Sequence, residues 1–353
     1  MAVKVLDQII TELHEIVKTR YAHRGELRNL RQLGHIPKKD YVAYDLCADF
    51  NNGTERFVAK IYRPDRIAVA EVETANLQYV HRAIPHKKLG GIPSLLGNFT
   101  QRCAVVTDKI CGLPLQPIIM KAALLPDSPD GGGLALAASR AGKWLRGFHK
   151  ATADLPEPFN VDRFMADLVT LCENCRLQGL DPTSEKTILE RARQVFGRRD
   201  KASPSSAVLT NFTPLNVIVT EDGVGFSSFS KMKRRGNSFE DVAMFMASAE
   251  CLEKYPFCTR KIVSQIQSGF LNAYGLAAAE MDTVHVLKMK VLLEMLVQGR
   301  TGKKNTVRKN VMWSNVMSRF VHQSVQRPPM PIPGPQHADS RPRNLIFKNR
   351  KVV

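Results

Sequence analysis

Apolar residues at Ile9, Ile10, Leu13, Ile16 and Val17 recur at the spacing of a helical face. They predict an amphipathic opening helix over residues 6–21. Two strand-like runs follow, 41–50 and 55–62, joined by Asn51-Asn52-Gly53, a strong hairpin-turn signal. A helix is expected over 67–83. Gly90-Gly91-Ile92-Pro93 then breaks the pattern, and two short strands are expected at 95–99 and 103–109. The first third therefore reads as a small β-rich region carrying one helix after its hairpin.

From residue 134 the period becomes helical. Leu136, Ala137, Ala141, Trp144, Leu145 and Phe148 share a register within 134–153, and further helices are expected at 162–178 and 184–196. Residues 200–206 read as a polar linker. A strand–loop–strand unit follows: 207–209, 217–220, a turn at Asp222-Gly223, and 224–229. Helices resume at 239–252, 260–274, 281–297 and 307–326. Pro328, Pro329, Pro331, Pro333 and Pro335 cannot continue a helix, so the end reads as an extended or disordered tail. No internal repeat is visible. The expected organisation is an N-terminal helix (1–24), a β-rich N-lobe (25–112), a mostly helical C-lobe (113–326) and a Pro-rich basic tail (327–353).

Length and composition permit this organisation. With 353 residues, 44% of them hydrophobic, the chain can bury a large core. No apolar run approaches the roughly 18 residues of a membrane span. Lys4, Asp7, Glu12, Glu15 and Lys18 deny the first twenty residues the apolar core of a signal peptide, so a cytoplasmic protein is expected. Cys172 and Cys175 form one CxxC inside an expected helix. A zinc site wants a second pair, and none is present, so ordinary half-buried thiols are expected.

The net charge of +18 changes the picture more. It implies attraction to phosphate-rich partners, whether a nucleotide, a phosphorylated small molecule, an anionic polymer or a membrane surface. The basic clusters at 231–235, 300–309 and 341–351 do not interleave with aromatics, so no specific nucleic-acid motif is read.

Candidate chemistry is carried by a few segments. Arg56-Phe-Val-Ala-Lys60 places a lysine on a strand, and Glu71 and Glu73 lie on the helix that follows, with Glu73 at the better spacing from Leu77. Taken singly, Lys60 reads sooner as a surface lysine on a hairpin than as a phosphate contact. Residues 105–115 form an apolar strand ending in Gly112-Leu113-Pro114-Leu115. His149 closes a helix. Pro214 and Asn216 precede the apolar run 217–219, and Asp241 opens a later helix.

In this order the segments resemble the aminoglycoside phosphotransferase and choline kinase-like family. The resemblance implies an α+β, two-lobed protein-kinase-like fold. It implies that Lys60, held by Glu73, meets the nucleotide phosphates, and that Val106, Asp108 and Ile110 meet the base at the hinge. It gives His149 and Asp241 structural roles, Asp241 tethering the catalytic loop. The family's catalytic motif runs histidine, glycine, aspartate, any residue, histidine, proline, glycine, asparagine. This chain keeps Pro214 and Asn216, but Leu209, Thr210 and Asn211 replace the first three residues. Asn211 thus stands at the catalytic aspartate position, and Ser228 at that of the metal-binding aspartate.

Asn211 carries no charge and cannot accept a proton, and serine is a poor ligand for Mg²⁺. ATP is an implied ligand, whereas the loss of both carboxylates counts against magnesium. Lys231 and Lys233 lie in a basic cluster that either takes over phosphate neutralisation or forms a solvated turn. Lys38 and Lys39, in a glycine-poor stretch over 34–40, are candidate anion contacts. Asp222, Glu221 and Glu240 are nearby carboxylates able to replace those lost. The expected function is a catalytically impaired pseudo-phosphotransferase, a nucleotide- or phospho-ligand-binding regulatory module. The alternatives are an active ATP-dependent kinase acting on a sugar or amino-alcohol hydroxyl, and a basic scaffold for an anionic polymer or membrane. The strong positive charge argues against polycationic aminoglycosides as acceptors.

Overall fold

The computed structural model describes residues 2–85, 89–125, 131–197, 202–255, 257–298 and 307–327. The Pro-rich tail from Pro328 and most of the basic stretch 300–309 lie outside the described residues. The chain divides into two compact units, 1–112 with 225–232, and 113–224 with 233–353. Among the described residues no helix is long and apolar enough to cross a membrane.

The first unit is built on an antiparallel sheet of β1 (Leu27–Pro37), β2 (Tyr41–Phe50), β3 (Gly53–Tyr62) and β4 (Ala104–Asp108), in the order β1-β2-β3-β4. The hairpin between β2 and β3 turns at Asn51-Asn52, and Gly53 takes the φ of +118° that few other residues adopt. The opening helix α1 (Ala2–Arg20) buries Leu6, Ile9, Leu13 and Val17, one stripe at helical spacing. The stripe packs in a core with Leu46, Phe57, Ala59 and Val106. Helix α2 (Ile67–Ala83) buries Ala70, Glu73, Thr74, Asn76, Leu77 and Val80. Two of these are strongly polar, the first sign that its inner face does more than pack.

β1 has no counterpart in the sequence expectations. Its outward residues dominate, with only Leu27 buried, so its period of two never contrasts with an apolar face. Of the glycine-poor stretch 34–40, residues 34–37 belong to this strand, and only 38–40 form the turn into β2. Conversely, residues 95–99 do not form a strand. Leu95 makes a single bridge to Thr107, and Gly97, at φ +133°, ends the extension.

The second unit begins with β5 (Leu113–Pro114), α3 (Leu115–Leu124), α4 (Gly131–Ala151), β6 (Asp154–Pro158), α5 (Val161–Arg176), α6 (Pro182–Phe196) and β7 (Ala202–Val208). β8 (Val217–Val219) and β10 (Lys233–Asn237) follow, and β9 (Val224–Phe226), between them in the chain, opens the segment 225–232 of the first unit. The chain then runs through α7 (Phe239–Glu250), α8 (Arg260–Tyr274), α9 (Ala278–Gln298) and α10 (Val307–Gln326). β5 pairs with β8, and β7 lies between β10 and β6. β7 starts inside the expected linker. Its residues are mostly small and polar, and Ser205 and Ser206 are buried by partner strands that local pattern cannot show.

Cys172 and Cys175 lie one helical turn apart on α5, and both are fully buried rather than half-buried. Burial pushes each thiol up to about 12, so neither is a ready thiolate. All seven cysteines are free.

The core of this unit is aromatic. Phe245 and Phe270 stack with centroids 4.0 Å apart, and Trp144 lies parallel to Phe212 at 5.8 Å. The helices that carry these rings approach closely through glycine. A Cβ on Gly142 of α4 would stand 2.2 Å from the Phe270 carbonyl oxygen of α8, and one on Gly269 would stand 2.7 Å from the Ala135 carbonyl oxygen. Gly142→Ala therefore forces two backbones apart. We expect it to cost about 3 kcal/mol, the upper end for overpacking, read as a lowered chemical-denaturation midpoint. An unchanged midpoint would show that α8 shifts freely against α4.

Candidate functional site

Two groups of buried polar residues stand out, one in each unit. In the first, Lys60 and Tyr62 project from the same side of β3, being two residues apart. Lys60 donates to Glu73 Oε1 at 2.6 Å and to the Ser227 carbonyl at 2.7 Å. Tyr62 donates to Glu73 Oε2 at 2.5 Å, and the Phe229 amide reaches Oε1 at 3.4 Å. The Glu73 side chain is 1% exposed and that of Lys60 is 12% exposed. Burial, reinforced by the adjacent Glu73 charge, raises the Tyr62 phenol well above its usual range and keeps it a donor.

Asn76 completes the arrangement from the next turn of α2. Its Nδ2 donates to the carbonyls of Phe229 at 2.9 Å and Met232 at 3.0 Å. Segment 225–232 is thereby fixed onto β3 and α2. Phe229 and Phe226 pack edge to face at 5.4 Å, and the Phe226 amide donates to the Gly91 carbonyl. Ser228 lies between the anchored carbonyls of Ser227 and Phe229 and is partly buried. Of the two glutamates on the helix, Glu73 is the partner of Lys60, whereas Glu71 is exposed.

The hinge residues fare unequally. The Val106 carbonyl accepts from the Leu96 amide, and the Asp108 amide donates to the Ser94 carbonyl. Both backbones are thus committed within the unit. The Asp108 carboxylate accepts from the Tyr21 hydroxyl at 2.6 Å and pairs with Arg20 at 3.7 Å, which ties the end of α1 to the sheet. Ile110, just past β4, carries no backbone hydrogen bond among the described residues. Lys38 and Lys39 are exposed in the turn after β1, where the Lys38 amide is bonded to the Tyr41 carbonyl.

In the second unit the organising group is Asp241. Its carboxylate, fully buried, accepts from the amides of Leu209 and Thr210, each at 2.7 Å, and from His149 Nε2 at 3.1 Å. His149 Nδ1 meets the Tyr274 hydroxyl at 2.9 Å. The loop that carries Asn211 is therefore held by its backbone from one side. From the other side, Asn216 Nδ2 donates to the Asn211 carbonyl at 2.9 Å, and Phe212 is buried in the aromatic core. Thr210 is bent to φ +61° by this tether. A β-branched residue rarely adopts that conformation, whereas glycine does so at no steric cost.

Asn216 and Ser228 stand at the positions that the resemblance gives to metal ligands, and neither side chain is charged, whereas Mg²⁺ favours carboxylate oxygen. Three carboxylates lie close to them in sequence. Glu240 is paired with Lys233 at 3.3 Å, and Glu221 and Asp222 are exposed beside the turn closed by the Thr220 and Gly223 backbone. Lys233 and Arg235 belong to β10 and face carboxylates, Glu240 and Asp154. Lys231 is exposed.

Sequence reasoning missed Tyr62, Asn76 and Tyr274. The first two were within reach, since Tyr62 shares a strand face with Lys60 and Asn76 shares a helix face with Glu73. Tyr274 lies 125 residues from its partner His149, and nothing local announces it.

Two predictions follow from these geometries. Lys60→Ala strands a buried carboxylate and should destabilise the chain by about 3–5 kcal/mol. The double variant Lys60→Met with Glu73→Gln should lose clearly less, because the amide still accepts from Tyr62. Equal losses in urea denaturation would mean that the pair is not electrostatically coupled. Thr210→Gly removes a left-handed strain of about 1–2 kcal/mol, partly offset by glycine's unfolded-state entropy. A net gain of about 1 kcal/mol is expected, and a loss would show that the Thr210 side chain has a compensating role.

No family model matches the sequence, and no curated protein matches it. Solved structures match its fold. The GDP complex of wild-type aminoglycoside 2'-phosphotransferase-IIIa is 12% identical, over 90% of this chain and 98% of that one, at a TM-score of 0.52. A choline/ethanolamine kinase family protein from Mesorhizobium loti is 14% identical, over 92% and 96%, at 0.51. An amicoumacin kinase in complex with AMP-PNP, Ca²⁺ and Ami is 12% identical, over 88% and 93%, at 0.53. At such identities the likeness is one of fold, and it runs nearly the full length of both partners. The chain has the protein-kinase-like fold of aminoglycoside phosphotransferases, choline kinases and related small-molecule kinases.

Proposed function

We propose that this chain is a catalytically impaired phosphotransferase that works as a nucleotide- or phospho-ligand-binding regulatory module. The observation that carries the reading is the buried Lys60–Glu73 pair, with Lys60 also bound to the Ser227 carbonyl. Two of the three ammonium protons are engaged and the third remains for a phosphate oxygen. A lysine so placed has its position set in advance, so little entropy is lost when an anion arrives. The GDP and AMP-PNP complexes of structures with this fold make a purine nucleotide the natural probe.

The impairment rests on residue chemistry. Asn211 has nearly the shape of aspartate but cannot take a proton from an acceptor hydroxyl. Ser228 brings no charge to offset a metal ion. The binding group therefore survives without the groups that would use it for transfer. The net charge of +18 favours anionic ligands generally but does not select among them.

The test is a thermal-shift titration with ATP, with and without Mg²⁺, on the native chain and on the double variant Lys60→Met with Glu73→Gln. A ligand that binds only the folded state raises the melting temperature. A saturable rise without Mg²⁺, absent from the double variant, is the expected result. A rise that needs Mg²⁺ and comes with ATP turnover would replace this reading with an active kinase. No rise at millimolar ATP would leave a fold that has lost its nucleotide.

A further inference from the structure

A cavity of about 90 Å³, lined by apolar and charged side chains, lies wholly within the helical unit. One wall is the α8 face of Arg260, Ser264 and Gln267, residues spaced at one and two turns. Another is the α9 face that carries His285 and Lys288, and the end of α7 adds Glu250. None of these belongs to the loop held by Asp241. Asp241 opens α7, and Glu250 is that helix's last residue.

Most of the charges here are matched. Glu250 accepts from Lys288 at 2.5 Å and from Ser324 at 2.6 Å, and Arg327 bridges Glu250 at 3.2 Å and Glu253 at 2.8 Å. Burial works against ionisation of Glu250, but Lys288, Ser324 and Arg327 outweigh it and hold its carboxyl below the usual range. Two groups are left over. Arg260 is exposed and makes no ion pair among the described residues. His285 is 5% exposed, and its Nε2 is buried without a hydrogen-bond partner among the described residues.

Those two groups define the missing partner. Burial, aided by the charges of Lys288 and Arg191, pushes the imidazole down to about 3, so it is neutral at physiological pH. In its Nε2–H tautomer it offers one donor and no charge. Arg260, Lys288 and Arg327 against Glu250 and Glu253 leave the lining with one positive charge in excess. A metal cation is disfavoured by that balance, and an oxygen acceptor carrying negative charge satisfies it. Size narrows the class further. The cavity holds a few waters' worth of volume, whereas sites for larger ligands occupy roughly 300–1,000 Å³, so a nucleotide does not fit.

The geometry points to a binding site for a small oxyanion, a short carboxylate or inorganic phosphate, held by His285 within and Arg260 at the mouth. The site bridges α7, α8 and α9, so its occupant would brace the helical unit independently of any nucleotide at Lys60.

Thermal-shift and calorimetric titrations with sodium phosphate and with sodium acetate, each against sodium chloride at matched ionic strength, test this. The native chain should show a saturable rise with at least one of the two, and the responding salt identifies the form of the anion. Arg260→Ala, an exposed change that should not disturb folding, should weaken the apparent affinity about tenfold, as loss of a charge-assisted hydrogen bond does. His285→Leu should abolish the response. The double variant Lys60→Met with Glu73→Gln should keep it. The inference is overturned if neither salt exceeds chloride, which would mean that the cavity holds only water. It is equally overturned if the response survives Arg260→Ala unchanged, or disappears in the Lys60 double variant, which would place the anion elsewhere.

Discussion

The first unit depends on a single buried carboxylate. Glu73 receives the Lys60 ammonium, the Tyr62 hydroxyl and the Phe229 amide, and so joins a strand, a helix and the returning segment 225–232. An ionised group without water is tolerable only when its oxygens are fully bonded. The converse also holds: if Glu73 goes, all three donors lose this acceptor, and Lys60 keeps only the Ser227 carbonyl. Segment 225–232 comes from more than a hundred residues further along the chain, yet it folds with this unit. The hydrogen bonds from Asn76 to its carbonyls, and from Lys60 to Ser227, account for that.

Asp241 plays the matching part in the second unit, and it acts almost entirely on backbone. It binds two consecutive amides of the loop and one imidazole. Asn211 follows immediately. Asparagine and aspartate are close in shape, so the loop keeps its course whichever stands there. Glu73 and Asp241 thus each organise the hydrogen bonds of their own unit. The positions that the family resemblance gives to proton transfer and metal charge hold Asn211 and Ser228, both neutral side chains.

Much of this was legible in the sequence, for identifiable reasons. Helices with strong apolar spacing were placed closely: α2 at 67–83, α8 at 260–274 and α10 at 307–326. The β2–β3 hairpin was announced by Asn51-Asn52-Gly53. Elements whose identity rests on distant partners were not seen. β1 is largely exposed, β6 and β7 are short or polar, and α3 is preceded by Pro114 and carries Pro117 in its first turn, which masks its period. Within the site, the Lys60–Glu73 pairing was legible because both members lie on adjacent elements. The commitment of the Val106 and Asp108 backbones was not, since it depends on residues 94–96 returning beside β4. The tether from Asp241 was foreseen through the family resemblance, but its consequence, a left-handed Thr210, was not.

The same separation bears on how a ligand would be felt. An anion at Lys60 would meet a lysine already fixed by Glu73 and Ser227, so binding would reorganise little and the response would stay within the first unit. The cavity beside His285 is different in kind. There the ion pairs of Glu250, Lys288 and Arg327 cross from α7 to α9 and reach the end of α10, and the unsatisfied imidazole sits among them. A group that filled it would complete a network spanning several helices, and completed buried networks stiffen what they join. Stability in the helical unit would then follow the concentration of a small anion rather than that of a nucleotide. Sensitivity of that kind is a physical basis for regulation that needs no turnover, as the function proposed above requires.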